Sequence, residues 1–185
     1  MDKKSIRDIA VSAAALALIA GGVTAALAGT NALTADTIAA RNEEAETQAR
    51  LQVIDADSFE KQTLTSADGE EVTYYAALQE GETVGYVFTV SATGKSAGLV
   101  VMTGISADGR ITGVTVTDDN ETAGYVDKVR EGGLFGRFQD REAPDGGFTL
   151  GEEIDGVSQA TKTSRGVTDG VNRAVAYYRQ IKGAE

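Results

Sequence analysis

Residues 9–35 form a run of 27 positions without a single charge, and no other stretch constrains the chain as strongly. Wound as a helix, the run would measure about 40 Å, more than the ~20 residues a hydrocarbon core requires. Lys3, Lys4 and Arg7 precede it. Asp36, Glu43, Glu44 and Glu46 follow it, with Arg41 the only early cation on that side. The positive-inside rule places the N-terminus in the cytoplasm and the rest of the chain outside, so the lipid bilayer is the first expected partner. Ala26-Leu27-Ala28 also fits a signal-peptide cleavage site, the alternative to an uncleaved anchor. The run has no compact Leu-rich block, however, and it stays apolar past that triplet through Ala32, Leu33 and Ala35. Ala13, Ala17, Gly21, Ala25 and Gly29 recur every fourth position, a smooth ridge on which another helix could pack closely.

Beyond the run the chain is acidic. The whole chain carries 28 Asp and Glu against 17 Lys and Arg, a net charge of −11, the reverse of what a nucleic-acid binder shows. Cys and His are both absent. That removes thiolate- or imidazole-held clusters, haem and zinc, nucleophile pairs built on either residue, and disulfides. A redox role would need an organic cofactor held by other side chains.

Residues 36–53 are rich in helix formers, contain no Gly or Pro and begin with Asp36 as a candidate cap, which predicts a stalk helix. Strand character follows at 72–78, 84–90, 97–105 and 111–117, with Asp108-Gly109 as a hairpin turn and one break in alternation near Gly113. A short helix is expected over 122–130. Leu134, Phe135 and Phe138 then form an apolar anchor, and a loop over 140–147 holds Pro144. From Ser164, a candidate N-cap, to 182 the apolar positions Val167, Val171, Ala174, Val175, Tyr178 and Ile181 recur at helical spacing. Strands first and helices after them predict an α+β domain. The expected divisions are 1–35 for the N-terminus and transmembrane helix, 36–55 for the stalk, and 56–185 for the domain. Tyr74, Tyr75, Tyr86 and Phe88 are expected in the sheet core, and Lys95 on the surface.

The sharpest local feature is the segment from Asp155 to Ser164. Four hydroxyls, Ser158, Thr161, Thr163 and Ser164, fall within seven positions directly before the last helix. Hydroxyls beside the free amides of a helix start can hold a phosphate. They can equally be an N-cap and nothing more, and spacing alone favours the cap.

This segment resembles the flavinylation motif of the FMN-binding domain family, Ser/Thr-Gly-Ala-Thr-x-Thr/Ser preceded by an Asp. In that family the Thr after Ala is esterified to the FMN phosphate by a separate magnesium-dependent flavin transferase that uses FAD. The resemblance implies Thr161 as the acceptor, with Asp155, Ser158, Ala160 and Thr163 matching the pattern around it and Thr163 and Ser164 within reach of the phosphate. Gln159 stands where the family has Gly. Gly85-Tyr86, the strand pair 97–105 and 111–117, and Asn120-Glu121-Thr122-Ala123-Gly124 are similar to a second family run, with Ala123 in place of Pro. That similarity implies that Glu121, Thr122 and Gly124 line the flavin pocket.

Anchor, strand block and motif, in this order, resemble the G subunits of the Rnf family of ion-translocating ferredoxin:NAD oxidoreductases. The C subunits of Na⁺-translocating NADH:quinone oxidoreductases come next. The resemblance implies an extracytoplasmic FMN-binding domain on a single-pass anchor in the cell membrane. It implies covalent FMN on Thr161, other Rnf subunits as partners, and turnover that belongs to the assembly. Two alternatives stay open: a non-redox accessory or assembly subunit of a membrane complex, and a secreted module released by cleavage after Ala28.

Overall fold

A computed structural model describes residues 3–67, 69–119 and 123–184. The chain divides into two units, Met1–Ala45 and Glu46–Glu185.

Helix α1 (Lys3–Val53) is continuous over 51 residues. The expected separate stalk helix with Asp36 as its cap does not form, because nothing near Asp36 interrupts the helical ladder. Thr30 and Thr34 keep their hydroxyls inside the helix by donating to the carbonyls of Ala26 and Thr30, at 3.0 and 2.9 Å, the usual way a helix absorbs such groups. The helix is long and apolar enough to cross a membrane. Leu16, Leu18, Ile19, Val23 and Leu27 are exposed along it, as a lipid-facing surface requires.

The second unit is built on a five-stranded antiparallel meander in the order β1 (Ser58–Thr65), β2 (Glu71–Gln79), β3 (Glu82–Thr93), β4 (Ala97–Ser106) and β5 (Ile111–Asp119). Four of these strands carry the alternation seen in the sequence. The edge strand β1 does not, since SFEKQTLT is almost wholly solvated.

Alternation divides the core into two layers. Tyr86, Phe88 and Val90 on β3 join Leu99, Val101 and Ile105 on β4 on one face. This face is covered by α3 (Thr161–Ala184), whose stripe buries Val167, Val171, Ala174 and Val175. Leu134, Phe138 and Phe148 close its edge, with the Phe138 and Phe148 rings edge to face at 5.4 Å. Val87 and Met102 face the other way and meet Val53, Ile54 and Ala56 at the end of α1. The end of α1 covers only part of this second face: Val87 and Met102 are buried there, whereas Thr89 and Ser91 farther along β3 are exposed.

The break in alternation near Gly113 is a β-bulge. Gly104 pairs with Gly113 and Ile105 with Ile111, leaving Thr112 extra. The bulge puts Ile111 and Val114 on the same face and turns Thr112 outward, where its hydroxyl donates to the Val53 carbonyl at 2.5 Å. This satisfies one carbonyl at the C-terminus of α1.

Candidate functional site

The segment leading into α3 is held on a short scaffold. Gly151 N–H donates to the Ile154 carbonyl at 2.8 Å, and Ile154 is fully buried. Thr149 N–H donates to the Glu153 carboxylate at 2.8 Å, which holds that carboxyl below its ordinary range, with Arg141 adding to the effect. A tight turn then spans Val157 to Ala160, closed by Ala160 N–H donating to the Val157 carbonyl at 3.1 Å. Its third residue, Gln159, sits in the left-handed region with φ 63°. That is the conformation Gly adopts without strain and Gln does not.

The turn buries Ala160 and delivers Thr161 as the first residue of α3, exposed to solvent together with Lys162. The helix begins three residues earlier than the hydroxyl pattern suggested. Ser164 is therefore inside the first turn and is not the N-cap. Its hydroxyl accepts the Val157 N–H at 3.1 Å and donates to the Ala160 carbonyl at 3.0 Å. Thr163 and Ser164 are both fully buried. Ser164 thus braces the turn from within. Asp155 and Ser158 are exposed, like Thr161.

Arg137 and Arg141, which no spacing singled out, hold this segment from outside. Arg141 Nη1 donates to the Glu153 carbonyl. Arg137 Nη1 donates to the Asp155 carbonyl and Nη2 to the Gly132 carbonyl, the latter at 2.8 Å. These acceptors lie up to 18 residues away, so only the fold reveals them.

Helix α2 (Tyr125–Glu131) starts after Gly124, which is left-handed at φ 79°. Glu121 and Thr122 lie outside the described residues. The turn between β3 and β4 touches both helices. A Cβ on Gly166 of α3 would meet the Thr93 carbonyl oxygen at 2.7 Å. Lys95 Nζ donates to the Tyr125 hydroxyl at 2.9 Å and lies 4.0 Å above its ring. Lys95 is thus engaged at the start of α2.

An exposed hydroxyl at the first position of a 24-residue helix suits a phosphoester. The first amides of α3 lack intrahelical acceptors by their position. They point toward such a group, and the helix N-terminus carries the partial positive charge that favours it.

Comparisons with known proteins bear on the family and the fold. Residues 94–176 match the model of the FMN-binding domain, and residues 1–54 match that of the RnfG N-terminal region. The chain is 35% identical to the G subunit of the Na(+)-translocating ferredoxin:NAD(+) oxidoreductase complex of Acetobacterium woodii, over 90% of this chain and 89% of that one. It is 30% identical to the G subunit of the ion-translocating oxidoreductase complex of Methanosarcina acetivorans, over 98% and 96%. Among solved structures, NqrC of Shewanella oneidensis has the same fold with a TM-score of 0.50. It is 19% identical and covers 72% of this chain and 73% of that one.

Proposed function

This chain belongs to the RnfG family, the G subunits of ion-translocating oxidoreductase complexes, and from that premise we propose that it is an electron-transfer subunit carrying FMN as a phosphoester on Thr161. The observation that carries the reading is the placement of Thr161: its residue is exposed, it starts α3, and the turn before it is fixed at both ends.

In the proposed attachment Thr161 Oγ attacks the flavin-side phosphorus of FAD on a magnesium-dependent flavin transferase. The Oγ–P bond forms, the pyrophosphate P–O bond breaks, AMP leaves, and the hydroxyl proton is released. No redox change accompanies the step. Once bound, the isoalloxazine supplies one-electron chemistry that a chain without Cys or His lacks.

The protein's own part is to hold and to orient. The first amides of α3 and the neighbouring Lys162 balance the phosphodiester charge. Ser158 in the turn and Asp155 just before it flank the phosphodiester, and Ala160, Thr163 and Ser164 form the buried base. Glu121, Thr122 and Gly124, before α2, contribute to the flavin pocket. Helix α1 keeps the chain in the membrane with its N-terminus in the cytoplasm. The domain then lies on the outer side, where a covalent tether prevents loss of the flavin. Partners are the other membrane subunits of a ferredoxin:NAD oxidoreductase that moves Na⁺ or H⁺.

The test is co-expression of the full chain with a flavin transferase. The denatured wild-type band should fluoresce under ultraviolet light, and the peptide containing Thr161 should gain the mass of FMN less water. Thr161→Ala should lose both signals. A fluorescent Thr161→Ala band would overturn the assignment.

A further inference from the structure

Resting on the proposed phosphoester at Thr161, we infer that Arg137 is a positioning residue for that modification: it ties the attachment loop to the turn after α2 and so presents Thr161 to the transferase in a single geometry.

Arg137 spans two segments that the main chain does not join. Nη2 donates to the Gly132 carbonyl at 2.8 Å. Nη1 donates to the Asp155 carbonyl and reaches the Gly156 carbonyl at 3.4 Å. Among the described residues no backbone–backbone hydrogen bond links 132–138 to 155–160. The tie is made by this one side chain and by the packing beside it. That packing is close: a Cβ on Gly132 would stand 2.7 Å from both Val157 methyl groups, so the missing side chain of Gly132 leaves the space that Val157 fills.

From Val157 the connection continues into α3, because the Val157 N–H is held by the Ser164 hydroxyl. Gly132, Arg137, Val157 and Ser164 therefore form an unbroken path to the turn that delivers Thr161. The loop itself resists order without such a tie. Asp155, Gly156, Ser158 and Gln159 are all exposed, and Gln159 is in a strained conformation. Ordering such residues costs backbone entropy. If Arg137 meets that cost before the transferase arrives, the enzyme binds a preorganised substrate.

A guanidinium suits the task. Its planar fork donates to two separated carbonyls at once, whereas an ammonium on a flexible stem serves as a point donor.

The experiment measures FMN transfer to the full-length chain in detergent, using purified transferase, FAD and Mg²⁺. It follows in-gel fluorescence and intact mass while the concentration of the acceptor chain is varied. Arg137→Ala should raise the KM for the acceptor chain roughly tenfold or more. The kcat should stay within about threefold, since Thr161 and the first turn of α3 remain intact. Millimolar guanidinium should recover part of the loss. Arg137→Lys should fall between the two, and Val157→Ala, which breaks the same tie from the loop side, should raise KM as well.

Wild-type kinetics in Arg137→Ala and Val157→Ala would overturn the inference. If Arg137→Ala fails to fold, wild-type kinetics in a folded Arg137→Lys would overturn it equally, by assigning the residue to stability alone. A wild-type chain that accepts no label defeats the phosphoester reading itself. A labelled wild type with an equally well labelled Arg137→Ala defeats only the positioning role.

Discussion

Gly113 lies so close to Val53 that a Cβ at position 113 would stand 2.7 Å from the Val53 Cα. Its ladder partner, Gly104, is in the same position: a Cβ there would meet the Val53 carbonyl oxygen at 2.4 Å. Two glycines facing each other across β4 and β5 thus open a seat for the last turn of α1, and the Thr112 hydroxyl closes it from the side. Arg50, one turn earlier, is buried with its guanidinium 3.7 Å above the Tyr75 ring and paired with Glu46 at 2.7 Å. The end of α1 belongs to the domain core.

Gly113→Ala should therefore destabilise the domain by about 1–3 kcal/mol, the usual cost of forcing an extra group into a packed interior. The clash is with main chain, which cannot rotate away. In detergent, the unfolding midpoint followed by tyrosine near-ultraviolet circular dichroism should fall by roughly 3–10 °C. An unchanged midpoint would mean that the seat is looser than the contact distances state.

Much of this fold was legible in the sequence because the responsible patterns are local. The α3 stripe, the four apolar strands and the uncharged run each announce themselves within one element. What was not legible depends on partners distant along the chain. The strand β1 has no apolar face of its own and is recruited by pairing with β2. What crowds Gly104 and Gly113 is the main chain of Val53, more than fifty residues away in sequence. At the candidate site the hydroxyl cluster and its helix could be read, but not which hydroxyls face solvent. Placing Ser164 under the turn requires knowing that α3 begins at Thr161. Arg137 carries no motif at all.

Gln159 offers a direct test of the turn. A non-glycine residue in the left-handed region costs about 1 kcal/mol, and Gln159 has φ 63° with an exposed side chain. Gln159→Gly should stabilise the chain by about 1 kcal/mol, offset in part by the greater freedom of Gly in the unfolded state. The calorimetric midpoint should rise by a few degrees, with Thr161 labelled at least as fast as in the wild type. Gln159→Val, β-branched and poorly suited to positive φ, should shift the midpoint the other way. A fall in the Gly variant would contradict the strained turn.

Thr103 presents the opposite situation, a polar group inside the core. It lies on β4 between Phe88 and Val114, fully buried, and its hydroxyl has no hydrogen-bond partner among the described residues. A buried donor left unsatisfied costs about 1–3 kcal/mol. Thr103→Val keeps the shape and removes that cost, so the variant should gain about 1 kcal/mol. The urea midpoint should move upward with an unchanged slope. A loss of stability would show that the hydroxyl is satisfied in solution.

Glu153 links the stability of the attachment segment to pH. Its carboxylate accepts the Thr149 N–H, and that bond, supported by Arg141, holds its pKa below the ordinary 4.5. The folded chain therefore favours the ionised form. The stabilisation is complete above the unfolded value of 4.5 and disappears as pH falls through the lower folded value. Asp108 follows the same rule from its ordinary 3.8, held down first by the Ser106 hydroxyl and further by Arg110. Glu153→Gln keeps an acceptor for the Thr149 N–H but has no charge to lose. Urea midpoints measured from about pH 6 to about pH 3 should fall for both proteins, less steeply for Glu153→Gln, and the two curves should converge at the acid end. Protection of the Thr149 amide against hydrogen exchange, taken relative to the intrinsic exchange rate at each pH, should fall over the same interval, and more in the wild type than in Glu153→Gln. Parallel stability curves would show that the carboxylate does not secure the segment.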